Sequence, residues 1–124
     1  MSLLFEHCGI LAWREAHFYY IENGFLGIDG DTICYIGKDR PAESFDETRD
    51  MSGRLLMPGL INCHCHAAMT LLRGVGSDLP LDRWLFEKMI PVEDRMTAED
   101  IAAGNALAMM EMIATGTTSF SDMY

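Results

Sequence analysis

Residues 55–66 read LLMPGLINCHCH: an apolar run, a Pro58-Gly59 step, and a short stretch ending in two histidines two positions apart. Side chains on a strand alternate between faces, so His64 and His66 are predicted to point one way and Cys63 and Cys65 the other. Two imidazoles at i and i+2 are about 7 Å apart along a strand. They can lean onto a single metal ion through neutral ring nitrogens at about 2 Å. Histidine is the commonest metal ligand, and two of them on one strand face favour a metal site over simple packing at a strand end. A local four-ligand site from Cys63, His64, Cys65 and His66 fits less well. The strand would have to break, and structural zinc sites separate their ligand pairs by roughly a dozen residues or more.

Working outward toward the C-terminus, residues 67–81 are mixed, with Gly74 and Gly76 marking a loop. The stretch DRWLFEKM, 82–89, reads as a short helix capped by Asp82 and stopped before Pro91. A longer helix is predicted over AEDIAAGNALAMMEMIAT, 98–115, where Ala, Met and Leu are strong helix formers. Thr97 is its N-cap, Asp100 completes a capping-box spacing, and Gly116 sits where a C′ glycine belongs. Asp100, Gly104, Glu111 and Thr115 share one narrow stripe, so most of the remaining, apolar circumference is expected to be buried. Met109, Met110 and Met112 read as adaptable core fillers rather than a thioether metal site. TTSFSDMY, 117–124, reads as another strand; Asp122 near its end suits either a site lining or a helix cap. Strand, helices and strand form one β-α-β unit with parallel strands. A two-stranded parallel sheet does not stand alone, so the unit is expected to be part of a larger sheet.

Toward the N-terminus the texture changes. Residues 1–57 read as a small antiparallel β unit of short strands and turns. FYYIEN, 18–23, is a strand that Asn23-Gly24 ends with a turn, and FLGIDGDTICYIG, 25–37, is a hairpin turning at Asp29-Gly30-Asp31. KDRPAESFDETRDMSG, 38–53, reads as an exposed polar loop. His7 and His17 match no ligand pattern and read as structural or surface residues.

Composition narrows the function classes. Acidic residues outnumber basic ones by 19 to 9 in 124 residues, a net charge of -10. Most of this surface repels a phosphate backbone, so no nucleic-acid partner is expected. No apolar run is long enough to span a bilayer, and no membrane partner is expected. MSLLFEHCGILAWREAHF lacks a basic segment followed by a long apolar core, so a signal peptide is not expected and the cytoplasm is. The four cysteines then read as reduced thiols.

The segment GRLLMPGLINCHCHAAMTLLRG, 53–74, resembles the first barrel strand of the amidohydrolase superfamily. There a His-x-His pair after a Pro-Gly step supplies two metal ligands. Residues 79–124, from LPLDRW to SFSDMY, resemble the branch that holds the 5-methylthioadenosine/S-adenosylhomocysteine deaminases and the chlorohydrolases.

That resemblance implies an α/β fold: the N-terminal portion of a metal-dependent (β/α)8 barrel. Residues 1–57 would be the β-rich part of the accompanying β-sandwich subdomain, and 58–124 the first β-α-β unit of the barrel. It implies His64 and His66 as ligands of a divalent metal, zinc first and iron(II) second. It also implies Glu93 as a carboxylate for ribose hydroxyls and Trp84 as an aromatic lining the base pocket. The implied reaction is hydrolytic deamination of an aminopurine nucleoside, a small-molecule partner; guanine deaminase and triazine hydrolase activities are the alternatives within the class. The remaining ligands and the acid/base carboxylate lie on later strands in that family. The 124-residue chain alone is therefore expected to be inert, or to need the rest of an enzyme or self-association through bare strand edges. The reading from another class is a non-catalytic module that docks on a partner.

Overall fold

The computed structural model describes residues 1–123. The chain forms two compact units, Met1–Pro58 and Gly59–Tyr124.

In the first unit, strands β1 (Ser2–Arg14) and β2 (His17–Asp29) are long and antiparallel, and β3 (Thr32–Gly37) extends the sheet beyond β2. Asp29 pairs with Thr32 across a two-residue turn whose Gly30 takes φ +61, so the expected hairpin is present. Asn23-Gly24 is not a turn. It lies inside β2, at a register shift where Cys8 faces Gly24 and Ile10 faces Ile21. A β-carbon on Gly24 would fall 2.8 Å from Ile21 Cγ2 and 2.9 Å from Ile10 Cδ1, so the glycine serves close packing at a bulge. The turn between β1 and β2 is made instead by Glu15 and Ala16, both at positive φ (52 and 63). Nothing in their side chains announces that conformation.

The unit is mixed, not purely antiparallel. β4 (Glu47–Asp50) and β5 (Leu55–Leu56) both lie parallel to β1, one after the other along its free edge. The segment expected to be an exposed loop thus contains a strand. Edge pairing uses backbone groups that every residue has, so the charged ETRD sequence does not prevent it, and charge suits a sheet edge. Cys8, Ile10, Ala12, Ile21 and Leu26 form the core, with Phe5, Tyr19, Ile28, Ile36, Met51 and Leu56 packed around it. His7 sits in a second bulge at φ 59, edge-on to Phe25 and 3.4 Å from Asp50. His17 Nδ1 is 3.1 Å from the Glu15 carbonyl. Both histidines are exposed.

In the second unit, β6 (Leu60–Cys65) pairs in parallel with β7 (Thr117–Asp122). Between them come a 3₁₀ helix (Ala67–Leu72), α1 (Leu81–Trp84), α2 (Ile90–Glu93) and α3 (Ala98–Ala114). Asp82 caps nothing: the helix starts directly after Pro80. Nor does it stop before Pro91. Residues Leu85–Met89 form a π turn in which the Ile90 N–H reaches the Leu85 carbonyl, five residues back. Proline lacks an N–H and crowds the carbonyl four residues earlier. The wider turn just before Pro91 absorbs both problems, so the helical path continues to Glu93.

Thr97 and Asp100 form a complete capping box on α3, and Gly116 follows the helix at φ +91. The expectation for the α3 faces is reversed. Gly104, on the supposed polar stripe, is buried together with Ala108, whereas Met110 and Ile113 are 69% and 74% exposed. Small residues explain it. Ala67 and Ala68 of the 3₁₀ helix press so close to α3 that a β-carbon on Gly104 would overlap the Ala68 carbonyl oxygen and lie 2.9 Å from its Cα. Cys65, Ala67 and Ala108 make the core here, with Met112 against it.

Four stability measurements check these contacts. Glu15→Asn/Ala16→Gly should stabilise the chain in urea by about 1 kcal/mol, because non-glycine residues at positive φ are strained. Gly104→Ala should lower the thermal midpoint. Its gain in helix propensity is about 1 kcal/mol, while overlap with backbone that cannot swing aside is worth about 1–3 kcal/mol. Thr97→Ala should lose about 1 kcal/mol. Thr97's backbone N–H and then its hydroxyl hold the Asp100 carboxyl below the usual range. A depressed folded-state pKa means this stability is complete above the unfolded value and is lost as pH falls through the folded one. Asp100→Ala should therefore flatten the acid limb of the stability profile.

Candidate metal centre at the end of β6

His64 lies near the end of β6 and His66 is the first residue beyond it, at the N-terminus of the 3₁₀ helix. Their ring centroids are 5.3 Å apart at an interplanar angle of 61°, and both residues are exposed. Two imidazoles sharing one tetrahedral zinc at about 2.0–2.1 Å per nitrogen have centroids roughly 5 Å apart. The donor pair thus fits a common divalent ion. Among the described residues no group of three or more His, Cys, Asp or Glu side chains comes together as a metal site. The pair offers two candidate donors.

The ladder around the pair is irregular. Asn62 pairs with Phe120 and Cys65 with Asp122, so three steps along β6 face two along β7. The extra residue is a bulge, which re-aims the side chains around it. Cys63 ends exposed and Cys65 buried. Burial, and then the nearby Asp122 carboxylate, push the Cys65 thiol up. With Cys65 buried, Cys63 exposed and no group of three or more His, Cys, Asp or Glu side chains assembled among the described residues, the four-ligand Cys-His-Cys-His arrangement is not formed.

Two side chains bond backbone groups on either side of the histidine pair. Asn62 Oδ1 accepts the His64 N–H at 3.1 Å. Asp122 Oδ1 accepts the Ala67 N–H at 3.2 Å and the Met123 N–H at 2.8 Å. Neither residue stands out as a ligand by spacing. Asn62, two before His64, was open to being read as an Asx-type acceptor, whereas the reach of Asp122 to Ala67 depends on strand register.

Trp84, the last residue of α1, is half-buried, and its indole N–H donates to the Val75 carbonyl at 3.0 Å. Glu93 closes α2, half-buried, on the far side of the π turn and Pro91. The groove that His66 lines, about 350 Å³, is walled by Asn62, Arg73, Glu111, Thr115 and Thr117 among others, and includes neither Trp84 nor Glu93. Arg73 and Glu111 span this groove as a bidentate pair at 3.0 and 2.7 Å, and the guanidinium holds the Glu111 carboxyl below its usual range. The structure brings the two histidines together and leaves the two expected substrate contacts on a separate helical segment.

The chain is 43% identical over its full length to 5-methylthioadenosine/S-adenosylhomocysteine deaminase of Thermoanaerobacter pseudethanolicus, and spans 28% of that relative. Its fold matches atrazine chlorohydrolase from Arthrobacter aurescens TC1, solved with zinc, at a TM-score of 0.83 and 22% identity over 97% of this chain and 28% of that one. Guanine deaminase from C. acetobutylicum, solved with guanine in its active site, matches at 0.78 and 18% identity over 97% of this chain and 29% of that one. No helix among the described residues is long and apolar enough to cross a membrane. The amidohydrolase family model covers residues 55–124, from β5 through β7, and the chain belongs to that family.

Proposed function

We propose that this chain supplies two metal ligands, His64 and His66, to a zinc-dependent hydrolase that deaminates an aminopurine nucleoside of the 5-methylthioadenosine or S-adenosylhomocysteine kind. The observation that carries the metal reading is the 5.3 Å separation of the two imidazoles on one exposed strand end. The substrate reading rests on the 43% identity with a deaminase of that name along the whole chain. The solved neighbours with other substrates are at or below 22% identity, so they speak to fold and not to a triazine or free guanine as substrate. Residues 1–57 then belong to a β-sandwich subdomain and 58–124 to the first β-α-β unit of a barrel. Such barrels carry their chemistry at the C-terminal ends of the strands, which is where His64 and His66 stand.

Each residue has a definite task in this reading. The imidazoles hold the ion as neutral nitrogen donors. When bound, the metal supplies Lewis acidity that lowers the pKa of water toward neutrality. Trp84, its indole edge already anchored on Val75, offers a fixed aromatic face to the purine. Glu93 accepts hydrogen bonds from ribose hydroxyls. Four free thiols accord with a reducing, cytoplasmic setting.

Two neutral ligands hold zinc weakly beside the usual three or four, so the 124-residue chain should bind zinc measurably but turn over no substrate. Zinc titration followed through the imidazole resonances tests this. Both rings should shift together in the wild type, and binding should vanish in His64→Ala/His66→Ala. Equal zinc binding by the double variant would remove the pair as a metal site, and deamination by the purified chain would overturn its predicted inertness.

A further inference from the structure

We infer that Asn62 and Asp122 are positioning residues for the histidine pair: their side-chain oxygens clamp the backbone on either side of it. The inference rests on the reading of His64 and His66 as metal ligands, and adds residues that touch no metal.

The need for such clamps comes from the bulge. A regular parallel strand has its peptide groups held by the neighbouring ladder. Between the Asn62–Phe120 and Cys65–Asp122 pairs that ladder is out of step, and the segment carrying His64 lies at the irregularity. The Asn62 amide oxygen takes the His64 N–H at 3.1 Å and fixes the peptide that precedes His64. His66 lies outside the strand, with φ -129 and ψ 72, and no side chain of its own segment caps the 3₁₀ helix that starts there. The Asp122 carboxylate, from the end of β7, takes the Ala67 N–H at 3.2 Å and fixes the peptide that follows His66. Holding that peptide sets ψ of His66, and with it the direction in which the backbone presents the ring.

Asp122 is in turn held in place. One oxygen, Oδ1, also accepts its neighbour's N–H, from Met123, at 2.8 Å. The Met123 N–H in addition reaches the Cys65 carbonyl at 3.2 Å, closing a small ring of bonds between the two strand ends. Below this ring, Cys65, Ala67 and Ala108 pack as a core of small residues. A carboxylate at the start of a helical turn is also favoured by the local dipole. Side chains that orient metal ligands typically change affinity by about 10- to 100-fold when removed.

The test uses the 124-residue chain and four variants. Asn62→Asp and Asp122→Asn keep an acceptor oxygen; Asn62→Ala and Asp122→Ala do not. Zinc affinity is read through the two imidazole signals, and hydrogen exchange of the His64 and Ala67 amides is read without metal. The alanine variants should bind zinc about 10- to 100-fold more weakly. His64 N–H should exchange faster in Asn62→Ala and Ala67 N–H faster in Asp122→Ala, with the amides of α3 still protected. The acceptor-keeping variants should stay near wild type on both measures. Wild-type zinc affinity in the alanine variants, or acceptor-keeping variants as impaired as the alanines, would overturn the assignment. If zinc proves not to engage the rings even in the wild type, the metal reading fails separately, and amide exchange decides: acceleration confined to the clamped amides supports the clamps, and unchanged exchange refutes them.

Discussion

Two residues of β6, Cys63 and His64, pass one of β7, Ser121, between the Asn62–Phe120 and Cys65–Asp122 pairs, and this mismatch in a parallel ladder governs the end of the second unit that carries His64 and His66. Around it Cys63 is exposed and Cys65 buried, and the two imidazoles lie side by side. A bulge disturbs the ladder where it occurs. Order therefore has to come from elsewhere. Side-chain acceptors supply part of it, and close packing beneath supplies the rest. Gly104 and Ala108 let α3 approach the 3₁₀ helix that follows His66 until Ala68 backbone atoms sit where a β-carbon would be.

The same preference for backbone solutions over side-chain signals recurs elsewhere. The first sheet completes its β1 edge with ETRD, a sequence with no apolar residue, because pairing needs only peptide groups. Glu15 and Ala16 turn the first hairpin at positive φ, since the two long strands they connect fix the register and override local preference. Pro91 sits within a helical path because a π turn ahead of it removes the carbonyl it would strike. That path carries Trp84 before the wide turn and Glu93 after it, so the turn sets the spacing between an anchored indole and a carboxylate.

Exposed apolar surface on α3 follows from the seam. Met109, Met110 and Ile113 lie away from the 3₁₀ helix, and an isolated parallel pair of strands has little else to cover them. The chain spans 28% of the length of the curated relative it matches along its full length. An Ala- and Met-rich helix with one glycine-lined contact face suits membership of a larger α/β layer, the setting in which parallel strands are usually found.

Local chemistry alone determined a good part of this protein. Apolar runs and a turn signal marked β3, β6 and β7, Thr97, Asp100 and Gly116 bounded α3, and two histidines two apart marked the candidate site, because periodicity, capping and ligand chemistry act over a few residues. Tertiary structure decided what depends on partners distant in the chain. The pairing of 47–50 with β1, the buried identity of Gly104, the bulge in β6 and the reach of Asp122 to Ala67 each join residues far apart in the sequence. Register and close approach are relations between elements, set by which backbones meet and how near, and no local pattern of side chains encodes them.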